Sequence, residues 1–170
     1  DFKTINIENG ITSIGSYSFH YFTNLESVTI ANSVISINSD AFSSCSKLAA
    51  IEFPENLEFI DQSSFSSCSS LKSIVFPEKV TYIGSYAFQY CSNLESITLP
   101  SKLTEISSYT FSKCSSLKAI SIPETVTKIG GYAFDNCKSI LSATIPKSVI
   151  SMGTNLFNYC ENLSSAIIHS

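Results

Sequence analysis

The sequence contains no arginine; all ten of its basic residues are lysine. Arginine is the side chain that grips phosphate in two places at once and most often reads guanine directly. With a net charge of −4 as well, the composition argues against a nucleic-acid partner. No run approaches the ~18 uninterrupted apolar residues of a membrane-spanning helix, so no direct membrane insertion is expected. The opening residues Asp1, Phe2, Lys3 and Thr4 lack the basic and apolar regions of a secretion signal. No C-x-x-C pair, G-x-S-x-G elbow or glycine-rich phosphate loop occurs, which removes the spacings that zinc sites, serine hydrolases and nucleotide sites require. What abounds instead is serine, the commonest residue of the chain. In a polar chain that would indicate a disordered linker, but 44% of this one is hydrophobic, so the serines belong on the turns of a folded domain.

Phenylalanine recurs at 19, 42, 65, 88, 111, 134 and 157, always at the same interval of 23. Three residues after each Phe stands Phe22 and then Cys45, Cys68, Cys91, Cys114, Cys137 and Cys160, which accounts for every cysteine. Three further on come Leu25, Leu48, Leu71, Leu94, Leu117, Ile140 and Leu163, followed by alternating pairs such as Ile74 with Phe76 and Ile120 with Ile122. Alternation marks a short strand with one face in and one out. All five prolines close this strand at equivalent positions, because proline has no N–H to continue a ladder. A second apolar pair follows, as in Val80 with Ile83 and Val126 with Ile129, and then Gly15, Gly84, Gly130 or Gly153, replaced elsewhere by Asn38, Asp61 and Ser107. Glycine, asparagine and aspartate tolerate positive φ, which predicts a tight left-handed bend at this column.

The resulting consensus, L-x-x-I-x-I-P-x-x-V-T-x-I-G-x-Y-A-F-x-x-C-x-x, resembles the BspA-like, or treponemal-type, leucine-rich repeats over essentially the whole chain. The first copy departs from it, with Phe22 for Cys and Ala31 for Pro, and so does the serine-rich copy around Ser63 to Ser70. The resemblance implies a leucine-rich repeat solenoid: a right-handed superhelix of 23-residue turns, mainly short parallel strands, with a short helical turn per repeat. It also implies a protein of the cell surface or extracellular space that adheres to matrix or host surface proteins. One turn cannot bury its apolar face alone, so stability must arise between neighbours. Residues 1–170 are expected to form a single domain of about seven repeats. The chain starts inside the strand pattern of Phe2 to Ile7 and stops inside that of Ala166 to Ile168 with no polar cap, which predicts a fragment of a longer array and end-to-end self-association.

Equivalent positions on successive turns point the same way, about 4.8 Å apart, whereas a disulfide brings Cβ atoms to roughly 3.8 Å and turns them toward each other. A column that accepts Phe22 is moreover an apolar one, and free cysteine behaves as a small hydrophobe; the cysteines are expected to be reduced and buried. His20 and His169 lie at opposite ends of the repeat array and are expected to be solvated. Glu55, Glu78 and Glu124 recur behind the proline as a solvated edge rather than an acid–base pair, and Asn162-Leu163-Ser164 is a lone glycosylation sequon. The chain is therefore expected to be no enzyme, with no catalytic residue, metal or cofactor.

Two outward surfaces are candidates for binding a protein or glycan partner. One is aromatic: Phe59 and Tyr82 share an outward column, and Tyr17, Tyr86, Tyr109 and Tyr132 share another. Tyrosine is enriched at interfaces, yet aromatic columns on adjacent turns also stack on one another for stability. Phe59, Tyr82, Tyr86, Tyr109 and Tyr132 form this candidate site. The alternative is the sheet face, where Glu52, Thr98 and Ser121 project between core residues. A structural spacer inside a larger surface protein is the competing function.

Overall fold

The computed structural model describes residues 2–169. The strands run, in chain order, β1 (Thr4–Ile7), β2 (Ser13–Ile14), β3 (Ser27–Ile30), β4 (Ser36–Ile37), β5 (Phe59–Ile60), β6 (Ser73–Val75) and β7 (Tyr82–Ile83). They continue with β8 (Ser96–Thr98), β9 (Glu105–Ile106), β10 (Lys128–Ile129), β11 (Ser142–Ile145), β12 (Ser151–Met152) and β13 (Ser165–Ile168). Every pairing is parallel and joins equivalent positions of successive repeats, as in Ile5 with Val28 or Ile37 with Ile60. The chain is thus a solenoid, and its strands fall into two strips. The Leu-x-x-Ile segment of each turn builds the first strip and the Val-x-x-Ile segment the second.

The core is the stack of inward columns. Phe42, Phe65, Phe88, Phe111 and Phe134 are fully buried, and rings of successive turns stack from Phe19 to Phe157 with centroids 5.2–5.9 Å apart. Leu48, Leu71, Leu94 and Leu117 close the core beside them, as do Ile37, Ile60, Ile83, Ile106 and Ile129.

Two sequence expectations fail for a common reason. Among the described residues no helix forms, so the short helical turn per repeat is absent. The segment around each core Phe instead divides its N–H groups between two directions. Those of Ser18, His20 and Phe22 bond to carbonyls three residues back, while those of Tyr17, Phe19 and Tyr21 point along the solenoid axis to Ser39, Ala41 and Ser43 of the following turn. A helix directs every N–H to its own preceding turn, so this alternation cannot be one. The pattern repeats at all six junctions from residue 17 to residue 158, with three inter-turn bonds of 2.7–3.2 Å at each.

Swinging those N–H groups outward requires left-handed backbone, and it occurs at two columns: Tyr17, Asp40, Ser63, Tyr86, Tyr109, Tyr132 and Asn155, then Tyr21, Ser44, Ser67, Tyr90, Lys113, Asn136 and Tyr159, all with φ between 52° and 63°. The predicted bend at Gly15, Gly84, Gly130 and Gly153 is therefore misplaced by two positions. None of these glycines has positive φ; Gly10 alone among the described glycines does. The Gly column answers to crowding. A Cβ on Gly84 would lie 2.6 Å from the backbone N of Gln62, and one on Gly130 would lie 2.4 Å from that of Ser108. At Ser107, in the same column, the hydroxyl donates to the Ile83 carbonyl at 2.7 Å.

Candidate functional site

Phe59 and Tyr82 are brought side by side. They are register partners on β5 and β7, and both are about half exposed, at 45% and 46%. Their column continues into Glu105 and Lys128, which form an exposed ion pair at 2.9 Å. On each strand the preceding residue also faces solvent, since Leu57 and Ile60 flank Glu58 and Phe59 from inside. Ile35, 40% exposed, thus extends the apolar patch diagonally from Phe59.

Tyr86, Tyr109 and Tyr132 lie four residues beyond the strand column, at the corner. Their rings stack at 4.8 Å between centroids, with interplanar angles of 10° and 3°, and the Asn155 amide donates to the Tyr132 hydroxyl at 2.5 Å. Desolvation in the stack raises the Tyr109 phenol above its ordinary value, and the neighbouring phenols of Tyr132 and Tyr86 add to this. Stacked this way, the rings spend their faces on one another. They also occupy left-handed backbone, which costs an L-residue roughly 1–2 kcal/mol; stacking worth about 0.5–1.5 kcal/mol per pair offsets part of that. Tyr17, whose neighbour in the column is Asp40, has no such stack and is 61% exposed. Tyr90 escaped the sequence reading. It is exposed, accepts a 2.7 Å hydrogen bond from Lys113 and carries that ammonium 4.4 Å from its ring centroid. The signal that could have found it is the second left-handed column, which also holds Tyr21 and Tyr159.

The alternative surface is also exposed: Glu52, Thr98 and Ser121 all face solvent on the first strip. Glu52 borders two open clefts of about 480 and 440 Å³, one shared with Ser27–Ile30 and the other with Ser73, Val75 and Phe76.

The cysteines are free, five of them buried and Cys160 partly so. Each thiol donates to the carbonyl of the core Phe one turn back, from Cys45 to Phe19 at 3.2 Å through Cys160 to Phe134 at 3.1 Å. Burial pushes the thiols up, to about 11 for Cys45 and about 12 for Cys91, which disfavours the nucleophilic thiolate. His20 differs from the solvated imidazole expected: it is half-buried against the edges of Tyr17 and Tyr21, with Nδ1 unpaired. His169 is exposed. Asp135, which the sequence reading did not single out, is buried; Ser112, Asn136 and Asn158 donate to its carboxylate at 2.8–3.3 Å. Glu55, Glu78, Glu124 and the sequon residue Asn162 lie toward solvent. Among the described residues no group of His, Cys, Asp and Glu is arranged to hold a metal, and no helix is long and apolar enough to cross a membrane.

Parallel strands at a 23-residue repeat, a leucine and phenylalanine core and outward residues that differ from copy to copy define a leucine-rich repeat protein. The model of the BspA-type leucine-rich repeat region matches the chain in overlapping stretches, residues 1–118 and 82–170, with six copies; the chain belongs to this family. It is similar in structure to a leucine-rich cell surface protein from Faecalibacterium prausnitzii, with 26% identity, a TM-score of 0.68, and coverage of 100% of this chain and 60% of that one. It is similar also to the leucine-rich repeat protein of T. pallidum, with 27% identity, a TM-score of 0.65, and coverage of 97% and 69%. The pneumococcal vaccine antigen PcpA matches with 26% identity and a TM-score of 0.65, all of this chain aligning with 41% of that one. The chain thus spans three-fifths of the F. prausnitzii protein and less of PcpA. Comparison with curated protein sequences finds no match. The family is a non-catalytic repeat fold, and leucine-rich repeat proteins generally bind proteins.

Proposed function

We propose that this chain is a non-enzymatic interaction or adhesion module, part of a longer repeat array in a cell-surface protein, and that it binds an extracellular matrix or host surface protein through its aromatic strand face. The observation that carries this reading is the exposed pair Phe59 and Tyr82, in register on adjacent strands. Large, rigid side chains of this kind supply most hot-spot energy at protein interfaces. The Faecalibacterium neighbour's description as a cell surface protein supports the location. A glycan is the other partner class this surface would suit.

The stacked rings of Tyr86, Tyr109 and Tyr132 favour a supporting role for that column, as a spacer would need, and alanine substitutions separate the two roles. Binding by the fragment is measured first against a panel of matrix proteins and glycans. Phe59→Ala and Tyr82→Ala are expected to weaken it by about 2 kcal/mol or more each with little change in thermal stability. Tyr109→Ala is expected to lower stability and leave affinity unchanged. Loss of affinity confined to Glu52→Ala, Thr98→Ala and Ser121→Ala would move the site to the first strip, and absence of any partner would favour the spacer.

End-to-end self-association belongs to the same reading. Ile167 and Ile168 on β13 are 55% and 60% exposed, and a second copy or a further turn would cover them alike. Small-angle scattering of the fragment should show growth along one dimension as concentration rises; a monomeric profile up to millimolar concentration would count against it.

A further inference from the structure

Hydrogen bonds between turns are unequally distributed around the solenoid. The turn side, which carries the Phe and Cys columns, keeps three backbone bonds at every one of its six junctions. The first strand strip does not. It consists of three separate two-stranded ladders, β1 with β3, β6 with β8, and β11 with β13. Between them lie two turns without an assigned strand. In the first, no backbone N–H or carbonyl of Ala50, Ile51, Glu52 or Phe53 pairs with either neighbouring turn. In the second, residues 119–122, a lone bridge from Ser121 to Thr144 is all that remains.

Both unpaired turns differ from the others at one outward position. The column at the head of this strip reads Ser27, Ser73, Ser96, Ser142 and Ser165 wherever a strand forms in these later turns, and Ala50 and Ala119 where it does not. The serines stand in register at the heads of the ladders, whereas alanine is depleted in strands. The first break has a second difference inside. Phe53 and Phe76 are the aromatic members of a column otherwise filled by Ile and Leu; they stack at 5.7 Å between centroids, and Phe53 also meets the Phe65 ring edge-on at 5.5 Å. The clefts that flank residues 50–53 let water reach the unpaired groups, so they need no protein partner.

We propose that the first strand strip of this solenoid opens at residues 50–53 and 119–122, and that the chain bends there about the continuous turn-side seam and the second strip, which stays paired past the first segment through β4, β5 and β7 and past the second through β9, β10 and β12. The two hinges, three repeats apart, separate the three ladders of the first strip, while the seam and the second strip keep their bonds at both hinges and do not lengthen. Bending of this kind would let one face of the array adjust its curvature while its core columns stay in contact.

Native-state hydrogen exchange on this chain tests the proposal. Amides of residues 50–53 and 119–122 are expected to exchange at least about 100-fold faster than those of Phe42, Phe65, Phe88 and Phe111, with β6 and β8 protected between them. In the variant Ala50→Ser/Ala119→Ser, protection of both segments should rise by about tenfold while the turn side is unchanged; Ser73→Ala should do the reverse at β6. Equal protection along the whole strip in the native chain, or an increase in the double variant that is spread over both sides, would overturn the hinge assignment.

Discussion

Replacing Phe65 with alanine is expected to destabilise the fold by about 3–5 kcal/mol, the usual loss for a fully buried phenylalanine. The ring is completely buried and held on three sides: stacked on Phe42 and Phe88, each at 5.3 Å, and met edge-on by Phe53 at 5.5 Å. Its removal opens a cavity that spans two junctions. Neighbouring turns cannot collapse into it without breaking the inter-turn bonds from Phe42 to Ser64 and from Phe65 to Ala87. For a chain of this size the loss corresponds to a drop in melting temperature of roughly 10 °C. Denaturant or thermal unfolding followed by circular dichroism measures it. Phe59→Ala is the comparison, since truncation of an exposed ring should stay within about 0.5 kcal/mol. Equal losses for the two variants would show that the stacked column is not what holds the turns together.

Raising the pH should unfold the protein through its cysteines. In the unfolded chain each thiol ionises near 9.0, whereas burial moves Cys91 to about 12 and Cys45 to about 11 and raises Cys68, Cys114 and Cys137 in the same direction. Between those limits the unfolded chain has already released protons that the folded chain retains, so ionisation draws the equilibrium toward unfolding. The contribution is intact below about pH 9 and diminishes as pH rises toward the folded values, by up to about 1.4 kcal/mol per pH unit for each thiol. All five buried thiols act in the same direction, so stability is expected to fall steeply as pH rises above about 9. The same burial governs reactivity. Near neutral pH an alkylating reagent should modify little beyond the half-buried Cys160, and should reach all six thiols after unfolding without reductant. Folded structure that persists to pH 12, or a disulfide-linked peptide between neighbouring repeats, would contradict the buried-thiol column.

Much of this architecture is legible in the sequence because a 23-residue period states each constraint seven times. Phe65, Cys68 and Leu71 need no structure to be placed inside, since Phe42, Cys45 and Leu48 and their later counterparts say the same. The errors lie where a residue type answers to two different demands. Gly84 could signal left-handed backbone or close approach, and the structure selects close approach, leaving the left-handed position to Tyr86, a residue whose type would not suggest it. The spacing from Phe65 to Cys68 is equally compatible with one helical turn and with a chain that sends alternate N–H groups to the next repeat; only the neighbouring turn decides. The broken strand strip is the faintest signal of all, a difference between Ala50 and Ser73 at an outward position. At the candidate site the sequence placed Phe59 and Tyr82 correctly in one outward column, but it could not separate them from Tyr86, Tyr109 and Tyr132, because whether a ring offers its face or spends it on a neighbour depends on rotamer and spacing.

The turn-side seam also bears on how such a chain can change over generations. Each junction uses the same three donors and the same three acceptors, so the bond set does not record which turn it joins. If residues 63–85 were lost, Gln62 would be followed by Tyr86, the next position of the column order, and every downstream column would remain in phase. Duplication of one period is equally silent. A gain or loss that is not a whole number of periods would carry the downstream columns out of phase, so that the Phe rings no longer stack on one another. Array length can therefore change in whole periods without disturbing the seam, whereas a substitution at an outward position alters the surface and leaves the stacked columns in place.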